Sequence, residues 1–287
     1  MQNYKIIINY QLSIINYFVS LWAIMDYTLN VHGLLMDLGV PQVMGILNVT
    51  PDSFYAGSRM QTEEDIAERC RQIVSEGGTI IDVGGCSTRP GAEVASEAEE
   101  MERLRLALAV VRREQPSAVV SVDTFRPDVA RMVVEEFGAD IINDVSEGSP
   151  EMFRMVARLG VPYILMSVQP TMRETLLTFA QKVQQLRDLG AKDIILDPGF
   201  GFGKTLEQNY QIMNSLEQLQ VMELPVLVGV SRKSMIYKKF GCSPDASLNG
   251  TTALHAIALM KGASILRVHD VREAVECVSI VQQLNSK

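Results

Sequence analysis

Eight times along this chain a short run of aliphatic and β-branched residues is followed by a stretch with helical spacing, and that alternation limits the fold more than any other feature. The runs are Val43 to Asn48, Thr79 to Val83, Ala118 to Val122, Asp140 to Asn143, Tyr163 to Met166, Asp193 to Leu196, Pro225 to Val230 and Ser264 to Val268. The helical patterns are Glu63 to Glu76, Glu97 to Glu114, Val129 to Phe137, Glu151 to Leu159, Leu176 to Leu189, Leu206 to Leu219, Leu248 to Met260 and Val271 to Leu284. Strands joined by helical crossovers run parallel, with the helices covering the sheet. Eight such units in 287 residues predict an α/β fold, a single (β/α)8 TIM barrel, which typically takes roughly 250 residues. A doubly wound open sheet is the alternative, but it supplies no reason to stop at eight.

Two segments precede the repeats. Tyr27 to Gln42 reads as two short strands around the turn dipeptide His32-Gly33, an N-terminal β-hairpin expected to cap one end of the barrel, with His32 a turn residue. Residues 1–24 form a tail whose run from Ile6 to Ile24 is uncharged but broken by Asn9, Gln11, Ser13, Asn16 and Ser20. It is read as a non-native start ahead of Met25, with a weak anchor as the alternative, leaving residues 25–287 as the barrel domain.

Active sites of such barrels lie at the carboxyl ends of the strands, and polar residues gather there. Asn48 ends the first strand, Asp82 lies in the second with Thr88 and Arg89 after it, and Asp123 follows the third. Asn143 and Asp144 mark the fourth, Ser167 the fifth, Asp197 the sixth, Ser231 to Ser234 the seventh, and Arg267 with His269 the eighth. A single such residue is more often a cap or a loop hydrogen bond than a ligand contact. A set filling all eight ends is a site. Its most informative stretch is Asp197-Pro198-Gly199-Phe200-Gly201-Phe202-Gly203-Lys204, where bare backbone can approach a ligand between an acid and a base. The spacing fits no nucleotide motif: Pro198 stands where a phosphate loop needs glycine, and G-x-G-x-G is not G-x-G-x-x-G.

A net charge of −8, spread without a basic block, argues against nucleic acid as a partner. Cys70, Cys86, Cys242 and Cys277 show no metal-binding spacing and read as reduced thiols, consistent with a cytoplasmic protein that is not expected to enter a membrane.

The Asp197–Lys204 run resembles the dihydropteroate synthase family. So do Met44-Gly45-Ile46-Leu47-Asn48-Val49-Thr50-Pro51-Asp52-Ser53-Phe54, Ile81-Asp82-Val83-Gly84-Gly85 with Ser87-Thr88-Arg89-Pro90-Gly91, and Ser231-Arg232-Lys233-Ser234 with Arg267-Val268-His269-Asp270. The resemblance extends from about Tyr27 to the C-terminus. It implies a transferase of folate biosynthesis that condenses 6-hydroxymethyl-7,8-dihydropterin pyrophosphate with p-aminobenzoate. It also implies that Thr88, Asp123, Asn143, Met166, Asp197, Lys233, Arg267, Val268 and His269 bind the pterin and its diphosphate, with Asp123, Lys233, Arg267 and His269 carrying the chemistry. Thr88, Arg89, Pro90, Phe202 and Ser234 would hold p-aminobenzoate, Asn48 would ligate Mg2+, and the protein would be a homodimer.

Two stretches depart from the family pattern. Tyr55-Ala56-Gly57-Ser58 stands where the family usually has Ser-Asp-Gly-Gly, removing an acid from that loop, and Met166-Ser167-Val168-Gln169-Pro170 stands for Met-His-Met-Gln-Gly, keeping the methionine and losing the histidine. The competing readings are a pterin-binding methyltransferase, which would not need the Arg267 and Ser231–Ser234 motifs, and an inactive paralogue, which would not need the full set.

Overall fold

The structure, a computed structural model, describes residues 27–49, 63–86 and 95–285. The tail at residues 1–24, the altered loop at Ala56, and Thr88, Arg89 and Pro90 lie outside the described residues. Among the described residues no helix is long and apolar enough to cross a membrane.

The hairpin is β1 (Thr28–Val31) and β2 (Leu34–Asp37), antiparallel with Val31 opposite Leu34. His32 and Gly33 both have positive φ, 48° and 81°, as a two-residue hairpin turn requires. The barrel follows as β3 (Gln42–Asn48), α1 (Glu63–Ser75), β4 (Ile80–Gly84), α2 (Glu97–Glu114), β5 (Val119–Asp123), α3 (Pro127–Phe137) and β6 (Ile141–Asp144). It continues with α4 (Pro150–Leu159), β7 (Tyr163–Met166), α5 (Met172–Asp188), β8 (Ile194–Asp197), α6 (Leu206–Asn214), β9 (Leu227–Val228), α7 (Ser234–Phe240), α8 (Leu248–Met260), β10 (Ile265–Val268) and α9 (Val271–Asn285). The parallel sheet runs β8-β7-β6-β5-β4-β3-β10-β9, and a bridge between Leu196 and Val226 joins its two ends. The chain is therefore a nearly closed TIM barrel with an N-terminal hairpin.

Side-chain alternation along each strand sorts the barrel into two layers. Val43, Leu47, Ile81, Val83, Val120, Val122, Leu165, Leu196 and Val268 point outward and pack under the helices. Met44, Ile80, Ile141, Ile164, Ile195, Leu227 and Ile265 fill the floor of the barrel, and Leu29, Val31 and Leu38 of the hairpin segment close that floor from below. His32 does more than turn the chain: its Nδ1 bonds the buried Asp140 carboxylate at the foot of β6, pinning the hairpin. With the bottom apolar and sealed, the same parity leaves the inward positions at the top of each strand for polar groups.

Boundaries shift where local chemistry decides them. The helix expected from Leu176 starts at Met172 because Thr171 caps Glu174 N–H, and Pro127 takes the first turn of α3, where its missing N–H costs nothing. The strand expected over Pro225 to Val230 shrinks to Leu227–Val228: Pro225 has no N–H to offer its neighbours, and at the other end the Val230 carbonyl accepts Lys233 N–H in a turn at 3.1 Å. The helix expected to Leu219 stops at Asn214 and continues as a 3-10 turn over Leu216–Met222.

His255 in α8 is 2% exposed, and its Nε2 has no hydrogen-bond partner among the described residues. Burial pushes the imidazole down to about 4. The unfolded chain therefore binds a proton near pH 6.5 that the folded chain refuses, and stability from this group falls as pH drops through that window. Relative to His255→Leu, the natural protein should lose about 3 kcal/mol of unfolding free energy between pH 7 and pH 4, measured by urea denaturation at each pH.

Candidate active site at the barrel mouth

The inward positions near the carboxyl ends of the strands bring Asp82, Asp123, Asn143, Met166, Asp197 and Arg267 to one place. At its centre Arg267 from β10 reaches across the barrel: Nε donates to Asp82 Oδ2 at 2.6 Å and Nη2 to Asp123 Oδ2 at 2.9 Å. Asp82 is fully buried and Asp123 nearly so. Burial alone would weaken the guanidinium's hold on its proton, but the two carboxylates more than reverse this and the Arg267 pKa is raised. Asp123 is pushed up to about 7 by burial, with Arg267 pulling the other way and Asp82 adding to the rise.

Asn143 lies beside this cluster, its Nδ2 3.3 Å from Asp82 Oδ2. Its Oδ1 is buried with no hydrogen-bond partner among the described residues, a costly condition for an acceptor unless something else bonds it. Met166 is fully buried at the end of β7.

Across the mouth, Asp197 and Lys233 form a second charged group. Burial raises the Asp197 pKa, with Lys233 opposing, and burial lowers Lys233 to about 8, with Asp197 opposing. The Lys233 ammonium bonds the Phe200 carbonyl and sits 4.6 Å from the centre of the Phe202 ring. It thus touches both phenylalanines of the glycine-rich loop. Phe200 itself is core, while the Phe202 ring is half-buried.

Lys204 closes that loop. Its ammonium, lowered to about 8 by burial, bonds the carbonyls of Ser167, Gly199 and Phe202 at 2.9, 3.0 and 3.3 Å. Gly199 N–H bonds Asp197 Oδ1 at 2.7 Å, and Gly201 N–H bonds Asn209 Oδ1 at 2.7 Å. The loop is braced by its own polar groups, and the braces set where Asp197 and Phe202 stand.

The remaining expected site residues divide. His269 follows β10, held at 3.1 Å by Ser231 Oγ, and burial together with Arg267 and Arg232 pushes it down to about 3. Ser234 opens α7 beside Lys233. Asn48 ends β3 with its amide oxygen against Gly84. Val268 faces outward into the layer under the helices, so its side chain is not at the mouth. Asp144 likewise points away and bonds Tyr163 Oη at 2.7 Å. Three residues noted at the strand ends and in the glycine-rich stretch take roles the sequence did not assign: Asp82 as the main partner of Arg267, Lys204 as the loop brace and Ser231 as the partner of His269. Asp82 was open to discovery, because it shares inward parity with Ile80.

A barrel whose mouth buries paired carboxylates, an orphaned amide oxygen and three cationic side chains is a small-molecule enzyme, and comparison with known proteins says which. A family described as pterin binding enzyme matches residues 44–269. The dihydropteroate synthase of Escherichia coli (strain K12) is 41% identical over 268 residues, covering 88% of this chain and 94% of that protein. Among solved structures, Xanthomonas albilineans dihydropteroate synthase with 4-aminobenzoic acid superposes with a TM-score of 0.86 at 34% identity, covering 91% of this chain and 99% of that one. Yersinia pestis dihydropteroate synthase in a sulfonamide drug complex gives 0.85 at 38%, covering 91% and 100%. The chain belongs to the dihydropteroate synthase family of pterin-binding enzymes. It is accordingly an enzyme, a transferase.

A Cβ at Gly199 would lie 2.1 Å from the Ser167 carbonyl oxygen, with φ +67°, whereas at Gly241, φ +63°, it meets nothing within 4 Å. Gly241→Ala should therefore cost only about 1–2 kcal/mol of stability, the left-handed backbone penalty. Gly199→Ala should cost about 2 kcal/mol or more beyond that, compared by urea denaturation.

Proposed function

We propose that the chain condenses 6-hydroxymethyl-7,8-dihydropterin pyrophosphate with p-aminobenzoate, giving 7,8-dihydropteroate and pyrophosphate. The observation that carries this reading is the buried donor and acceptor set at the mouth, above all Asn143 Oδ1, which has no hydrogen-bond partner among the described residues while its Nδ2 meets Asp82. A flat heterocycle with amide and amidine edges supplies what that set lacks. Its N–H groups would donate to Asn143 Oδ1, Asp123 and Asp197, its acceptors would take a bond from Lys233, and Met166 would pack against the ring.

The diphosphate falls to Arg267 and His269, with Thr88. A guanidinium has five N–H groups, and the bonds to Asp82 and Asp123 engage only Nε and Nη2. Arg267 can therefore keep both carboxylates and still donate to an anion. Phe202, Pro90, Thr88, Arg89 and Ser234 would hold p-aminobenzoate, and the ammonium of Lys233 against the Phe202 ring sets the border between the two substrates.

In the reaction the methylene C–O bond breaks with its electron pair leaving on the diphosphate, and the amine lone pair forms the new C–N bond with loss of one proton. We favour departure of the diphosphate first, because the electron-rich ring can carry the positive charge. Asp123 and Asp197 would stabilise that charge, and Arg267 and His269 the departing one. Asn48 at the end of β3 would lend one neutral amide oxygen to a Mg2+ ion otherwise held by the substrate's phosphates and water. Bound there, the ion would neutralise charge on the leaving group. A homodimer in the cytoplasm completes the reading.

Pyrophosphate release by the full chain should require the dihydropterin pyrophosphate, p-aminobenzoate and Mg2+ together, and Lys233→Ala should lower it by about a hundredfold or more. Tight pterin binding without release would overturn the synthase reading.

A further inference from the structure

Behind the mouth, two consecutive residues after β9 grip two consecutive residues after β10. Ser231 Oγ accepts the His269 backbone N–H at 3.1 Å and lies 3.1 Å from His269 Nδ1. Arg232 forks onto Asp270, with Nε 3.0 Å from Oδ2 and Nη2 2.5 Å from Oδ1. Arg232 has φ 55°, an uncommon conformation for a residue with a side chain, and it turns the chain so that Ser231 and Lys233 face different partners. Arg69 of α1 completes the hold, donating to the His269 carbonyl at 2.7 Å and to the Ile46 carbonyl at 3.2 Å. Both backbone polar groups of His269 are thereby fixed.

The Ser231 hydroxyl is buried and has one proton to give. Its oxygen accepts from the His269 amide, and among the described residues His269 Nδ1 is the one acceptor within reach of its proton, so the proton falls to His269 Nδ1. A ring nitrogen that accepts carries no hydrogen, and in a neutral imidazole the hydrogen is then on Nε2. Burial and the neighbouring Arg267 and Arg232 keep the ring neutral, so its tautomer decides whether Nε2 donates or accepts. An imidazole in the other tautomer would turn a lone pair toward any anion at Nε2.

We infer that Ser231 is a positioning residue that locks His269 as the Nε2–H tautomer, making the ring a hydrogen-bond donor to the substrate's diphosphate. The choice of anion rests on the proposed function; the tautomer does not. Ser231 acts through His269, in the way that outer partners orient a metal-binding histidine.

The test is nitrogen NMR of ring-labelled histidine in the full chain, where only three histidines contribute and His269→Asn identifies the signal. The expected result is a hydrogen on Nε2 and none on Nδ1 near pH 7. Ser231→Ala should then populate the Nδ1–H form and raise KM for the dihydropterin pyrophosphate about fivefold or more, with KM for p-aminobenzoate changed by less than about twofold. Ser231→Thr, which keeps the hydroxyl, should restore the tautomer. A hydrogen on Nδ1 in the natural protein, or a tautomer unchanged in Ser231→Ala, overturns the inference. Inorganic pyrophosphate separates the two claims: an Nε2–H signal that ignores it would sink the diphosphate role of His269 while leaving the tautomer assignment standing.

Discussion

One guanidinium organises the mouth of this barrel. Asp82 and Asp123 face the same small buried space, and two ionised carboxylates there would repel each other and pay the desolvation of both charges. Arg267 bonds each of them and lets them stay together. Even so, burial leaves Asp123 pushed up to about 7, so its charge is held only as firmly as Arg267 holds it. The buried carboxylates of the mouth and the cation among them are thus one construction.

The second charged group follows a similar logic with backbone in place of side chains. Lys233 and Lys204 are both lowered to about 8 by burial, and both spend their protons on main-chain carbonyls of the stretch from Ser167 to Phe202. Those bonds convert a glycine-rich turn into a fixed wall. The close pass of Gly199 against the Ser167 carbonyl also explains how the departure at Ser167 is accommodated. The contact there is to main chain, Ser167 N–H bonds Asp197 O at 2.9 Å, and its hydroxyl accepts Gln169 N–H at 3.2 Å. None of these needs a histidine side chain.

Much of this was legible in the sequence because it rests on periodicity. The eight-fold alternation foretold the barrel, and His32-Gly33 foretold the hairpin, since both depend on local spacing and turn chemistry. The residues at the strand ends were legible as a set, and the structure brings Asp123, Asn143, Met166, Asp197, Lys233 and Arg267 together. What the sequence could not convey is who bonds whom. Arg267 is 185 residues from Asp82 and Ser231 is 38 from His269, and no local rule links them. Val268 sits inside the motif, and strand parity turns its side chain outward. Applying that parity to each strand sets Asp82 and Arg267 on the inward face and the Val268 side chain on the outward one.

The central claim is that Arg267 sets the charge of Asp123. Its most direct test is the pH dependence with which a 6-hydroxymethylpterin lacking the diphosphate binds the natural protein and Arg267→Gln. Because Arg267 holds the Asp123 pKa down against burial, the account predicts weaker ring binding in the variant and a pH dependence displaced upward from near 7. Unchanged affinity and an unchanged pH profile would contradict it and reduce Arg267 to a contact for the leaving group.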